Sequence, residues 1–293
     1  MIKPLLSVLM TVYNREDFIN EAIESVLSST FKNFELIILD DASTDNSIAI
    51  INSFLLLDQR IKLYKNEYNL GQFATRNKIV SFAEGEYMMW LDSDDKTYPF
   101  SFDYCINEML STPNADIGML CRDEYLCGKT LTPKQSINHH FFGTQFLFIG
   151  PGGTIIKKEF FNKIGGFPNK YGPVDDMYFN LMTATYGNLK CLCKEFLFYR
   201  THIGQELNNP YSYLYNGYLY MKDALQYLPM PITKEQKIFL LNKNKRRFFI
   251  NSLKYLFESK NFIKTLKAFK LANFTLRDCV VAIFQKKSSL YVF

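Results

Sequence analysis

The apolar positions of the first hundred residues switch repeatedly between continuous runs and helical spacing. Leu5 to Met10 is a short apolar run that reads as a buried strand leading into a polar loop, Thr11–Arg15. Ile19, Ala22, Ile23, Val26 and Leu27 follow at helical spacing, with Asp17 near the start. Glu35 to Leu39 predicts a second strand that ends at Asp40 and Asp41. Ser43, Thr44 and Asp45 can cap a helix running through Ile48, Ile51, Phe54 and Leu55. Ile61 to Tyr64 predicts a third strand, Thr75 to Phe82 a helix, and Tyr87 to Leu91 a fourth strand. Strands that show no polar alternation, separated by helices, imply an α/β domain with a mixed, mainly parallel sheet covered on both faces. In such sheets ligands gather at the carboxyl ends of the strands. The polar clusters Thr11–Asn14, Asp40–Asp41 and Asp92–Asp95 all fall at those ends, which predicts one cleft rather than three unrelated caps.

Between about 115 and 200 the pattern loosens. Gly150–Gly153 and Gly165–Gly166 read as turns or close backbone approaches, and Asp175 and Asp176 precede a predicted helix. From about residue 231, apolar positions such as Phe248, Leu253, Phe262 and Leu266 interleave with Arg246, Lys254, Lys264 and Lys267. The expected organisation is therefore a domain over 1–230 and a basic amphipathic helical tail over 231–293.

Composition narrows the class. Among 293 residues, 47% are hydrophobic and 22% charged, which describes a packed globular chain and excludes a disordered one. Charge is uneven: residues 234–287 hold 14 Lys and Arg against 3 Asp and Glu. That places a cationic tail behind a mildly acidic domain and points to an anionic membrane surface or another polyanion. No nucleic-acid reading module accompanies the charge, so nucleic acid is not expected as a partner. Three histidines and six unpaired-looking cysteines make a zinc site improbable. Cys191 and Cys193 alternate along one predicted strand, and reduced thiols in a cytoplasmic protein are the expectation. LLSVLM is too short for a signal peptide's apolar region, and no run predicts a spanning helix.

The segment MMWLDSDD places Asp92, Ser93, Asp94 and Asp95 directly behind an apolar strand. Carboxylates crowded at a strand end raise the cost of ionising one another, and a divalent cation relieves it. Hard oxygen ligands favour Mg²⁺ or Mn²⁺. An acidic loop or helix cap is the competing reading for these four residues alone.

LSVLMTVYNREDFINEAIESVLSSTFKNFELIILDDASTDNS, the DxD-bearing WLDSDD, and GGF followed by Asp175–Asp176 together resemble the family 2 glycosyltransferases of the GT-A fold, over about residues 5–205. The resemblance implies inverting transfer from a nucleotide-sugar donor. It implies that Thr11, Tyr13, Asn14 and Glu16 line the nucleotide pocket, with Asp41 accepting from a uracil ring and Asp40 holding the neighbouring loop. Arg76 falls in the donor-side segment, Asp92 approaches the ribose with Ser93 beside it, and Asp94 is the principal metal ligand with Asp95 nearby. Asp176 matches the catalytic base of a Glu-Asp pair whose first member here is Asp175. His202, in YRTH, matches a polar position near the metal or diphosphate.

Residue chemistry agrees with these roles. A carboxylate only accepts, so it reads imide and hydroxyl donors, and a sugar hydroxyl needs a base as its new bond forms. The expected reaction moves a hexosyl group, from UDP-sugar first among donors, to a hydroxyl of a glycan or lipid-linked saccharide in bacterial cell-surface polysaccharide synthesis. The expected place is the cytoplasm, peripheral on the inner membrane face, and the aromatic tail offers a homo-oligomer contact. Two rivals remain open at this stage: a catalytically silent nucleotide-sugar or glycan-binding scaffold, and a nucleotidyltransferase. The second usually needs a Gly-rich basic loop that TVYNRED is not.

Overall fold

The computed structural model describes residues 3–202 and 209–284. Strands β1 (Leu6–Val12), β2 (Phe34–Asp40), β3 (Ile61–Lys65) and β4 (Tyr87–Trp90) alternate with helices α1 (Ile19–Leu27), α2 (Ser47–Leu55) and α3 (Gln72–Ile79). β1 pairs in parallel with both β2 and β4, and β2 with β3. Every residue of β2 and β4 is buried, which is why their sequences run apolar without alternation. α1 packs Ile19, Ala22, Ile23 and Val26 into the core that also holds Leu6, Val8, Leu36 and Ile38. α3 starts three residues earlier than its apolar spacing predicts. Gly71, at φ 86°, turns the chain into the helix, and a 3₁₀ turn, Val80–Phe82, follows α3.

The loosely patterned middle of the chain completes the sheet with short strands. β5 (Lys96–Thr97), α4 (Ser101–Leu110), β6 (Ile117–Leu120), β7 (Thr130–Leu131), α5 (Pro133–Phe142), β8 (Thr154–Lys157), α6 (Lys158–Ile164), α7 (Asp175–Tyr186), β9 (Leu189–Leu192) and β10 (Leu197–Phe198) follow in order. The sheet runs β3-β2-β1-β4-β8-β6-β9-β7, with β8 antiparallel to both β4 and β6 and β7 antiparallel to β9. Its first half is thus parallel and its second half mixed. β5 and β10 form a separate antiparallel pair.

Helices α8 (Pro210–Tyr227), α9 (Lys234–Ser259), α10 (Phe262–Leu271) and α11 (Leu276–Phe284) end the described chain. α8 buries Tyr218, Tyr220 and Met221, and the basic helices follow it from Lys234. α9 starts with a capping box in which Thr233 and Gln236 exchange side-chain-to-backbone bonds. Tyr218, Phe248, Ala272, Phe274 and Ala282 form a core of their own.

The chain divides into two compact units. One comprises the chain up to Thr132 with Phe148–Phe167 and Tyr186–Thr201, and so holds the whole sheet. The other comprises Pro133–Leu147, Pro168–Thr185 and the described chain from His202 on. Among the described residues no helix is long and apolar enough to cross a membrane.

One expectation is corrected. Cys127 and Cys193 are joined in a disulfide across a sequence separation of 66. Spacing could not show it, because β6 and β9 bring together residues far apart in sequence. Cys105, Cys121, Cys191 and Cys279 are free thiols.

Candidate active site

The sheet unit holds eleven of the predicted residues, ten at the carboxyl ends of β1, β2 and β4 and Arg76 on α3. Thr11 lies within β1, paired with Leu39 of β2, and Tyr13 just beyond it is 45% exposed. Asn14 takes a positive φ of 50°, a conformation that asparagine tolerates. This turn is laced to the loop after β2. The Asn14 N–H donates to Ser43 Oγ at 3.0 Å, and Asn14 Oδ1 accepts from the Thr44 N–H at 2.8 Å. Glu16 Oε2 accepts from the Asn46 N–H at 2.9 Å and from its side-chain amide at 2.7 Å.

Asp40 and Asp41 divide the work of the β2 end. Asp40 Oδ2 accepts from the Ser43 N–H at 3.0 Å, which holds the neighbouring loop. Asp41 is 4% exposed, and its carboxylate organises the turn into α3. Oδ1 accepts from Asn66 at 2.7 Å and from the Leu70 N–H at 2.9 Å, while Oδ2 accepts from the Gly71 N–H at 3.0 Å. A carboxylate offers about four lone-pair positions, so three donors leave room for a fourth.

The β4 end carries the three acidic residues, and each meets an arginine. Arg76, on α3 and only 2% exposed, pairs with Asp92 and lies over the Phe73 ring at 5.0 Å. Arg15 Nε sits 3.4 Å from Asp94 Oδ2. The β5–β10 pair brings up Arg200, whose N–H donates to Asp95 Oδ1 at 2.9 Å and whose Nε donates to the Asp94 carbonyl at 2.9 Å. Ser93 is buried between them in sequence. Burial, with Asp92 and Asp94 close by, pushes the Asp95 carboxyl up to about 7, against the pull of Arg200. Asp95 thus serves as a buried acceptor that ties the β10 end to this turn.

The donor set suits a cation shared with phosphate. Among the described residues no group of three or more His, Cys, Asp or Glu side chains forms a metal cage. A Mg²⁺-type ion bridging a diphosphate needs only one or two protein carboxylates, the remaining positions being phosphate and water. Asp94, whose side chain is 13% exposed and faces a cation already, is the residue that fits this demand.

Asp175, Asp176 and His202 belong to the helical unit. Asp175, at the start of α7, is 1% exposed, and its Oδ1 accepts from the Lys170 and Tyr171 N–H groups, both at 2.9 Å. Burial raises its carboxyl above the usual range, against those two bonds. Asp176 is half-buried, and its Oδ1 accepts from the Met177 N–H at 2.8 Å. His202 is half-buried.

Sequence reasoning assigned no role to Arg15, Arg200 or Asn66 and offered Ser43 only as a helix cap, whereas the cap position of α2 is Asn46. The signal for the arginines was electrostatic: three acids at one strand end call for fixed cations as well as a metal. The bonds of Ser43 to Asn14 and of Asn66 to Asp41 left no local signal, since they span 29 and 25 residues.

A fold of this kind, with polar strand ends and a DxD turn, defines a nucleotide-sugar transferase domain of the GT-A class. The family model described as "Glycosyl transferase family 2" matches residues 7–165, and the chain belongs to that family. An uncharacterized glycosyltransferase of Rickettsia typhi is 26% identical over 282 residues, covering 89% of this chain and 82% of its own. The putative teichuronic acid biosynthesis glycosyltransferase TuaG of Bacillus subtilis is 42% identical over 94 residues, covering 32% of this chain and 37% of TuaG. The structure of Staphylococcus aureus TarS residues 1–349 in complex with UDP-GlcNAc matches with a TM-score of 0.64 at 19% identity, covering 95% of this chain and 78% of that one. The last comparison bears on fold alone.

Proposed function

We propose that this protein transfers a hexosyl group from a nucleotide-diphosphate sugar, with UDP as the nucleotide, to a hydroxyl of a glycan or lipid-linked saccharide in cell-surface polysaccharide synthesis. The observation that carries the reading is the convergence of the β1, β2 and β4 ends on one acidic turn, with Arg15 and Arg76 paired to its carboxylates and Arg200 bonded to Asp95 through its backbone N–H and to the Asp94 carbonyl through Nε. The likeness to TuaG supports the polysaccharide setting, and Asp41, whose carboxylate keeps room for a further donor, supports a nucleotide with a ring imide.

Each residue then has a task. Asp41 accepts the ring imide N–H through its remaining lone pair, and the exposed Tyr13 ring and Thr11 flank the base. Asn14 and Glu16 keep the two loops closed as one wall. Asp92 takes the ribose hydroxyls while Arg76 holds it in place. Asp94 would hold a Mn²⁺ or Mg²⁺, which would supply charge stabilisation for a leaving diphosphate. Arg15 adds a fixed positive charge at the same place. Asp176 removes the acceptor's proton as the hydroxyl attacks C1 from the face opposite the leaving group, which inverts the anomeric centre. Asp175 is held by two backbone donors, and Asp176 is the acid that the family resemblance matches to the base.

The test is nucleotide release from a panel of UDP-, GDP- and dTDP-sugars with Mn²⁺, for wild type and Asp94→Ala. Metal-dependent turnover of one donor, reduced at least about 100-fold in the variant, is expected. Absence of both turnover and nucleotide-sugar binding across the panel overturns the transferase reading and leaves a silent scaffold.

A further inference from the structure

Helices α10 and α11 bury only part of their apolar surface. In α11 the side against the fold is marked by Ala282, 1% exposed. Leu276, Val280, Ile283 and Phe284 nevertheless recur at i, i+4, i+7 and i+8, and all four are exposed, Leu276 at 87% and Phe284 at 76%. This second apolar stripe is one that the described residues do not cover. α10 packs through Thr265 and Ala268, which leaves Phe262, Ile263 and Leu266 outside that packed line. The last turns of α9 continue the pattern with Ile250, Leu253 and Phe257 at i, i+3 and i+7, Phe257 being 77% exposed. By contrast, the earlier part of α9 is seated through Leu240, Asn244 and Phe248. Ordinary monomer surfaces do not carry so many large apolar side chains in helical register.

The charges around these stripes select the occupant. Residues 250–284 hold six Lys and Arg and two acids. Both acids are matched within the unit, Glu258 with Lys254 at 3.7 Å and Asp278 with Lys245 at 2.8 Å. Lys260, Lys264, Lys267, Lys270 and Arg277 are all exposed beside the apolar positions. A second copy docked about a two-fold axis would set this cationic belt against itself. A bilayer bearing anionic headgroups accepts both features: the apolar side chains enter the headgroup boundary and the lysine stems reach back to the phosphates. Since no described helix can span the bilayer, the contact lies along its surface. We propose that α10, α11 and the last turns of α9 form a docking face for an anionic phospholipid bilayer. This goes beyond the transferase reading and stands or falls independently of it.

The experiment is co-sedimentation of the full chain with phosphatidylcholine vesicles, with or without about 30% phosphatidylglycerol. Wild type is expected to bind the anionic vesicles and to lose at least about tenfold in affinity on neutral ones. The triple variant Leu276→Ser/Ile283→Ser/Phe284→Ser is expected to lose about tenfold or more on anionic vesicles, as is Lys264→Glu/Lys267→Glu/Lys270→Glu. All six positions are exposed, so circular dichroism melts should match wild type. A Phe284→Trp variant supplies a direct reading. Trp90 is the only tryptophan and is buried, so a vesicle-induced blue shift reports position 284. Three results overturn the proposal: no vesicle binding by wild type, equal binding by wild type and both triple variants, or a dimer in light scattering that the apolar triple variant dissolves.

Discussion

A carboxylate buried in this protein is accounted for by the donors aimed at it, and those donors separate structural from chemical roles. Asp175, 1% exposed, accepts two backbone N–H groups, whereas Asp176 is half-buried and accepts from the Met177 N–H. Asp176→Asn is expected to lower kcat by about 10²–10⁴-fold with little change in donor KM. Asp175→Ala is expected instead to lower stability by about 1–3 kcal/mol, since it orphans two N–H groups. Steady-state kinetics and thermal melts on the same two proteins distinguish these effects. Glu35 is the clearest pH-linked residue away from the site. Burial alone would raise its carboxyl, but bonds from Ser7 at 2.6 Å, from Lys62 at 2.9 Å and from the Glu84 N–H at 2.7 Å outweigh burial and hold it below the ordinary value of 4.5. The unfolded chain then binds the proton more tightly than the native one, so this stabilisation is complete above that value and is lost as pH falls below it through the lower folded value. Glu35→Gln should flatten the decline of Tm between about pH 5 and pH 3. An unchanged decline in the variant would place the acid sensitivity elsewhere.

At the scale of elements, periodicity was legible where a strand or helix buries a continuous face and failed where a long-range partner decides the structure. β1 to β4 and α1 to α3 appear within a few residues of where apolar spacing predicts them, because each buries enough side chain to leave a pattern. β5, β7 and β10 are two residues long and have no period to read. The β5–β10 pair nevertheless brings Arg200 to Asp94 and Asp95, across more than a hundred residues of chain. The disulfide tying Cys127 to Cys193 is of the same kind. Cys193→Ser should cost about 2–4 kcal/mol in oxidising buffer and nothing once wild type is reduced, read as the shift in urea midpoint with and without dithiothreitol. Local signals do suffice at the start of α9. Thr233→Ala removes one half of the capping box and should cost about 1 kcal/mol by the same measurement.

For the whole molecule, the chain's order of segments and its three-dimensional grouping differ. The charge pattern suggests a domain followed by a tail, whereas the compact units draw α5 and most of α7 together with α8 to α11. Sequence alone determined the parallel half of the sheet, the acidic strand ends, the family, and the cationic amphipathic character of the last helices. These features are local: they depend on which residues follow one another over one or two turns or along one strand. Tertiary structure alone decided that Arg15, Arg76 and Arg200 each face a different part of the acidic turn, and that Asp41 is held by Asn66, Leu70 and Gly71. It also decided that Asp175 is spent on its own turn, that Cys127 meets Cys193, and which apolar faces of α10 and α11 the described residues leave uncovered. The reason is physical. A periodic pattern records that a face is apolar, but what covers that face, or which donor meets a given carboxylate, depends on chain segments that only folding brings within a few ångströms.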